Sequence, residues 1–243
     1  MQAIKIANKV TDEVIAELPA PVQRYMNYTG VVGKPWIDTV SLKYTGQFRL
    51  GIDKPWMSMR VDQVYRINPP GFQWKANFKM FGFPLMSALD TYSDGEAHMF
   101  GKLAGLFTVF DARDDKLLQG TMVRYLQEMM WFPTAYLGEH VRWESVDDHA
   151  ADVTFAYSGN QVTGRIYFDD EGRALSFIAE RYGEHNGTYK LDNWATPITE
   201  YKIYDGFCVP SVGWGVWQLP EGDLTYIKLS VTDIVYNVPI HDF

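Results

Sequence analysis

From Trp36 onward apolar and polar positions alternate along the chain. Val40, Leu42, Tyr44, Phe48 and Leu50 take one side, and Ser41, Lys43, Thr45, Gln47 and Arg49 take the other. Successive strand side chains point to opposite faces, so this is the pattern of a half-buried antiparallel strand. It recurs in GFQWKANFKM, where Phe72, Trp74, Ala76, Phe78 and Met80 alternate with Gln73, Lys75, Asn77 and Lys79. Between these runs WMSMRVDQVYRI alternates with one mixed face, on which Arg60 and Asp62 join Trp56, Ser58 and Val64. A fourth strand is expected around LMSALDTY, closed by the turn Ser93-Asp94-Gly95. Phe100 to Phe110 is strongly apolar, and there the pattern shifts toward helix. Residues 115 to 132, DKLLQGTMVRYLQEMMWF, are the best helical candidate, stopped by Pro133. From His140 the period of two returns in seven runs: HVRWESV, ADVTFAY, VTGRIYF, ALSFIAERY, ITEYKIY, FCVPSVGWGVWQL and LTYIKLSVTDIVY. Turn signals separate them at Gly159-Asn160, Asp170-Glu171-Gly172, Asn186-Gly187, Asp205-Gly206 and Glu221-Gly222-Asp223.

The first thirty residues read as helical. Thr11 can cap TDEVIAEL, Pro19 and Pro21 punctuate it, and Gly30 ends a second helix. The expected class is α+β: an incomplete antiparallel β-barrel of about eleven strands, with N-terminal helices and a central helical lid over its concave face. No strand-helix alternation supports a parallel doubly wound sheet. One domain over 1–243 is expected, divided into a helical segment 1–35, a first strand set 36–110, a helical lid 111–138 and a second strand set 139–243.

Composition narrows the function classes. The chain has 243 residues with 22 basic and 30 acidic side chains, a net charge of −8, and no basic cluster of the kind nucleic-acid binding needs. The one cysteine, Cys208, offers neither an internal disulfide nor a thiolate set for zinc, which suits a reducing compartment. The start MQAIKIANKVTDEV lacks the long apolar core of an export signal or membrane anchor, so a cytoplasmic protein without a membrane span is expected. No nucleotide-binding glycine loop or hydrolase nucleophile elbow occurs. The histidines, His98, His140, His149, His185 and His241, have no metal-ligand spacing, and no cofactor or metal is expected. Asp147-Asp148-His149 reads as a polar turn, and Gly213-Trp214-Gly215 as a strand kink.

Chemistry is most concentrated in RYLQEMMWFP. Arg124 and Glu128 are four apart, so they share a helical face, with Trp131 next along it. Met122, Val123, Leu126, Met129 and Met130 make the rest of the helix apolar. The pair is either an ordinary ion pair beside a core stripe or part of a cavity roof. On strands, Asp90 with Tyr92, Glu180 with Tyr182, and Glu200 with Lys202 share faces, and a solvated outer face accounts for most of them. Arg181 shares a face with Phe177 and Ala179 and is a candidate inward cation. Fifteen Tyr, fourteen Phe, eight Trp and ten Met suit a pocket for an apolar ligand, although core filling accounts for most of them singly.

Two segments, LPAPVQRYMNYTGVVGKP at 18–35 and RYLQEMMWFPTAYL at 124–137, carry a resemblance. Together with FDDEGRALSFIAERY and the region from YDGFCVP to YIKLSVTDIVYN, they resemble a bacterial family, domain-of-unknown-function family 6544. That family implies no particular reaction or ligand. The order of elements also looks like the lipoprotein-carrier half-barrel, in which helices cap a curved sheet around a hydrophobic cavity. Two functions are therefore expected as alternatives. One is binding of an apolar or amphipathic small molecule, with Arg181, Trp131, Met129, Phe78, Trp74 and Trp217 as lining candidates and Arg124 and Arg181 meeting an acidic head group. The other is a cofactor-independent acid-base enzyme, an isomerase, cyclase or lyase, with Glu128, Tyr125 and Arg124 as its catalytic set. Oligomeric state is not readable.

Overall fold

The computed structural model describes residues 9–185 and 188–240. Two short helices open it, α1 (Asp12–Ala16) and α2 (Ala20–Thr29). Pro21 sits in the first turn of α2, and Gly30 ends that helix in the left-handed conformation, at φ 70°. The Thr11 side chain makes no capping hydrogen bond to α1, contrary to expectation.

Six strands follow: β1 (Thr39–Phe48), β2 (Met57–Arg66), β3 (Gly71–Met80), β4 (Phe83–Ser93), β5 (Glu96–Leu103) and β6 (Phe107–Ala112). Helix α3 (Asp115–Glu128) comes next, capped by Asp114, whose carboxylate accepts from the amides of Lys116 and Leu117 at 2.9 and 2.8 Å. Two 3₁₀ turns, Met129–Trp131 and Pro133–Leu137, complete the lid segment. Seven strands close the chain: β7 (Val141–Asp147), β8 (Ala150–Tyr157), β9 (Asn160–Phe168), β10 (Ala174–His185), β11 (Thr188–Tyr204), β12 (Phe207–Leu219) and β13 (Gly222–Tyr236).

All thirteen strands form one antiparallel sheet, in the order β6-β5-β4-β3-β2-β1-β13-β12-β11-β10-β9-β8-β7. The chain starts in the middle, walks out to β6, crosses by α3 to the far edge at β7, and walks back until β13 pairs with β1. Strands β6 and β7 do not pair, so the sheet stays open. It must nevertheless curl. Helix α3 touches β4 and β5 of one wing and β8, β9 and β10 of the other. In a flat sheet, β5 and β9 would lie about 40 Å apart at the usual strand spacing. A helix is only about 10–12 Å across, so the wings fold up around α3 and form an incomplete barrel with the helix in its hollow.

Two differences from the sequence pattern stand out. The stretch from Phe100 to Phe110 is the β5–β6 hairpin rather than helix. Ala104 and Gly105 turn it at φ 51° and 72°, and Phe110 fills the space over Gly101, where a Cβ would meet the ring at 2.3 Å. This hairpin raises the strand count from about eleven to thirteen. It was hidden because its upper end is apolar on both faces. The second difference is that helix gives way to a 3₁₀ turn at Met129, about one turn earlier than the pattern up to Phe132 suggests.

Strand β10 pairs with β9 only from Ala174 to Ile178 and then leaves it. Helix α3 takes over that vacated edge. Gln119 donates to the Glu180 carbonyl at 2.9 Å and accepts from the Tyr182 amide at 3.0 Å, a side-chain substitute for a strand partner. Gly120 makes the approach close enough, since a Cβ there would sit 3.0 Å from the Tyr182 carbonyl oxygen. Replacing Gly120 with Leu should therefore push α3 off β10 and cost about 1–3 kcal/mol in urea unfolding, against a gain if the site were merely a weak helix position.

Candidate functional site

The register of the first wing lines up one cross-strand row. Leu42, Gln63, Trp74 and Asp90 are directly opposite one another on β1, β2, β3 and β4. All face the hollow, because Gln63 lies among Met59, Val61 and Tyr65, and Asp90 two residues from Tyr92, each of them buried. Asp90 is 1% exposed, so it belongs to the core face and not to the solvated outer face expected for it.

Helix α3 lowers Arg124 onto this row. Its Nε donates to Glu128 Oε1 at 2.7 Å, one NH group donates to Asp90 Oδ2 at 2.8 Å, and the other to Gln63 Oε1 at 3.3 Å. The guanidinium carbon stands 4.9 Å from the Phe72 ring centre and 5.0 Å from that of Trp74, in cation–π geometry. Glu128 is filled from the other side, where Oε2 accepts from Gln63 Nε2 at 2.9 Å and from the Tyr65 hydroxyl at 3.0 Å. The Arg124–Glu128 pair is thus a buried, triply shared ion pair and not a surface one.

Burial sets the electrostatics. It pushes the Asp90 carboxyl up to about 6, even though Arg124 and then Arg181 pull it down. Burial works against the charge on Arg124 as well, but Glu128 and Asp90 outweigh it and hold the guanidinium firmly protonated. Tyr65 is pushed well above the ordinary phenol range, first by burial and then by the Glu128 charge.

A cavity of about 610 Å³ opens beside this cluster. Of the residues singled out from sequence, Arg124, Glu128, Arg181, Trp131, Phe78 and Trp74 lie on its wall. Tyr125, Met129 and Trp217 do not. Tyr125 follows Arg124 by one residue, so its side chain leaves the helix about 100° away. It is buried against Phe155, and its hydroxyl donates to the Arg66 carbonyl at 3.1 Å. Met129 is buried in the core. Trp217 sits behind Arg181, 5.6 Å from its guanidinium, and packs on Tyr226. Trp131 is pinned at the wall by donating its Nε1–H to the Pro210 carbonyl at 3.1 Å.

Arg181 is the second cation of the wall. It donates to the Gly120 carbonyl at 2.9 Å and to the Tyr226 hydroxyl at 3.4 Å, and lies 4.5 Å over the Trp194 ring. Among the described residues it makes no ion pair, in contrast to Arg124. Three buried polar atoms of wall residues have no hydrogen-bond partner: Asp90 Oδ1, Thr196 Oγ1 and Ser211 Oγ. Gln63 is not singled out by the sequence pattern and Asp90 only as one of several strand residues expected on a solvated face, though a signal is present for both. Each is the one strongly polar residue on an otherwise apolar strand face.

Among the described residues no three His, Cys, Asp or Glu side chains gather as a metal site. His98 pairs with Asp111 at 2.8 Å and His149 with Asp170 at 2.7 Å, both at the surface. His241 lies outside the described residues, as does the Asn186-Gly187 turn.

The chain belongs to the family of unknown function DUF6544, whose model matches residues 8–229. Comparison with curated proteins gives no match. Among solved structures it is similar to the crystal structure of the LolA superfamily protein NE2245 from Nitrosomonas europaea. The identity is 10% and the TM-score 0.49, over 95% of this chain and 96% of that one.

Two outcomes test the cluster. Arg124→Met leaves two buried carboxyls without their cation and should cost about 3–5 kcal/mol, whereas Glu128→Gln leaves the Arg124–Asp90 pair and should cost less. Adding Asp90→Asn and Glu128→Gln to Arg124→Met should recover most of the loss in urea unfolding. The second outcome concerns pH. The folded-state value of Asp90 is raised, so the folded protein holds this proton longer than the unfolded chain, and its contribution falls as pH rises from about 4 to about 6. Asp90→Asn should remove that slope, gaining about 2–3 kcal/mol on the parent across this window.

Proposed function

We propose that this protein binds an amphipathic small molecule in the cavity beneath α3, its apolar part against Trp74, Phe78 and Trp131 and its acidic end at Arg181. The observation that carries this reading is an aromatic-walled cavity holding one guanidinium, Arg181, that has no charged partner among the described residues. A ligand site needs a small number of placed polar groups in an apolar hollow. Arg124 is committed to two carboxylates and Gln63, so it is a poor receptor for a further anion. Arg181 gives Nε and Nη1 to neutral acceptors, keeps Nη2 without one, and has no charged partner among the described residues, which suits a carboxylate.

A second reading, acid-base catalysis on a hydrophobic substrate, is favoured by Asp90 specifically. A wall carboxyl with an unfilled oxygen and an affinity for protons near neutrality has the properties of a general acid or base. Glu128 has both oxygens occupied and Tyr125 lies off the wall, so in this reading Asp90 carries the proton and Arg124 with Glu128 positions it.

A fluorescent long-chain carboxylic acid serves as probe. It should bind the parent protein and lose about tenfold or more in affinity with Arg181→Leu, while the corresponding alcohol binds both forms alike. Absence of binding by either probe, together with protein that yields no extractable molecule after purification from cells, would overturn the binding reading.

A further inference from the structure

The antiparallel meander places the β1–β2, β3–β4 and β5–β6 connections at one end of the sheet. Phe48 is opposite Met57, Met80 opposite Phe83, and Leu103 opposite Phe107, each pair closing a hairpin at that end. Among the described residues, these neighbouring tips carry six of the seven large apolar side chains that are more than half exposed, Ile203 on β11 being the seventh. Phe81 is 90% exposed, Phe83 76%, Leu106 79% and Phe107 66%, with Leu50 and Ile52 beside them on the β1–β2 loop. Soluble surfaces seldom gather large apolar groups this way without a partner. The tips are also basic. Residues 49–56, 79–84 and 102–108 hold Arg49, Lys54, Lys79 and Lys102 against the single acid Asp53, a local charge of +3 on a chain of −8.

Arg49 shapes the first loop. It donates to the Ile52 carbonyl at 2.9 Å and the Thr225 carbonyl at 2.7 Å, and stacks on Trp56 at 4.6 Å. Lys54 and Lys79 are exposed, and Lys102 is half-buried with its ammonium 5.5 Å from the Phe100 ring centre. The β12–β13 turn at the same end bears Glu221 and Asp223 instead, so the basic character of the β1–β6 tips does not extend to that turn. Leu50 and Val109, at the base of these tips, are wall residues of the cavity, so its mouth opens at this end.

We propose that the β1–β2, β3–β4 and β5–β6 tips form a docking site for an anionic lipid bilayer surface, with Phe81, Phe83, Leu106 and Phe107 entering the headgroup layer and Lys54, Lys79 and Lys102 meeting lipid phosphates. Separate protruding tips with lysines around them suit a fluid surface, which closes around each side chain. A second copy of the chain would have to offer a matching face of hollows with acidic rims. Among the described residues no helix is long and apolar enough to cross a membrane, so the contact is peripheral. The site stands independently of the cavity's occupant, though it would put the cavity mouth against the bilayer.

The test is co-sedimentation with vesicles of phosphatidylcholine mixed with phosphatidylglycerol, and with vesicles of phosphatidylcholine alone. The parent protein should bind the mixed vesicles, less so as salt rises, because anionic lipid attracts each lysine only within a Debye length. Phe81→Ser with Phe83→Ser and Phe107→Ser should reduce binding about tenfold or more, and Lys54→Glu with Lys102→Glu should remove the preference for anionic lipid. All five side chains are at tips, and an unchanged thermal melt would show that these variants fold. Failure of the parent to bind either vesicle overturns the proposal, as does binding that survives the serine variant. A parent that sediments as a dimer, binds no vesicle and becomes monomeric with the serine substitutions would show the tips to be a protein interface instead.

Discussion

The Arg124 side chain is 12% exposed, and a guanidinium that far from water persists only where fixed acceptors replace its hydration. The acceptors come from three elements. Glu128 is one turn along α3, Gln63 is on β2 and Asp90 is on β4. Because the two strand residues flank Trp74 in one cross-strand row, the guanidinium is fixed in height by the indole below it and in direction by its two neighbours. A slip of one residue in either the β2–β3 or the β3–β4 pairing would turn one of these partners to the outer face. The cluster therefore ties the position of α3 to the register of the first wing.

The second wing is fastened differently. There β10 breaks from β9 and Gln119 takes freed backbone groups of β10, while the Arg181 side chain of β10 donates to the Gly120 carbonyl of α3. One wing grips the helix through charge and the other through backbone-like hydrogen bonds. Between these two attachments the walls do not meet, and the space left is the cavity. The same attachments explain its asymmetry. Helix α3 covers the hollow only from Asp114 onward, so the ends of β3 to β6 remain uncovered and their inward apolar residues reach solvent at the mouth.

How much of this was legible follows from what a strand pattern contains. Alternation marks each strand and each turn, so the antiparallel class and the position of the lid could be read from period alone. The β5–β6 hairpin could not, because its inward and outward residues are both apolar where the lid fails to cover them. The helical spacing of Arg124 and Glu128 was visible, but the depth of the pair was not, since burial depends on what lies opposite. Gln63 and Asp90 are 27 residues apart and become partners only through a strand between them. A polar residue on an apolar face marks each one singly, and register alone brings them together. Tyr125 shows the converse limit, for adjacency in a helix separates side chains that adjacency in sequence appears to join.

The hydrogen-bond capacity of the two carboxyls divides their roles. Glu128 accepts from Arg124, Gln63 and Tyr65, which come from two elements and hold both of its oxygens. The Gln63 amide is itself locked, giving its N–H to Glu128 while its oxygen accepts from Arg124. Asp90 accepts from Arg124 through Oδ2 alone, and its Oδ1 is buried with nothing to receive. The network is thus saturated toward β2 and unsaturated toward β4. With both carboxyls ionised it carries one negative charge in excess of Arg124, and a proton on Asp90 cancels that excess. Arg181 offsets the same excess from the other wing, as its downward pull on Asp90 records. An anion drawn to Arg181 would weaken that offset and so favour the proton on Asp90, whose hydroxyl could then donate where its oxygen now has no partner. Binding of an acidic group and protonation of Asp90 are in this way two sides of one charge balance.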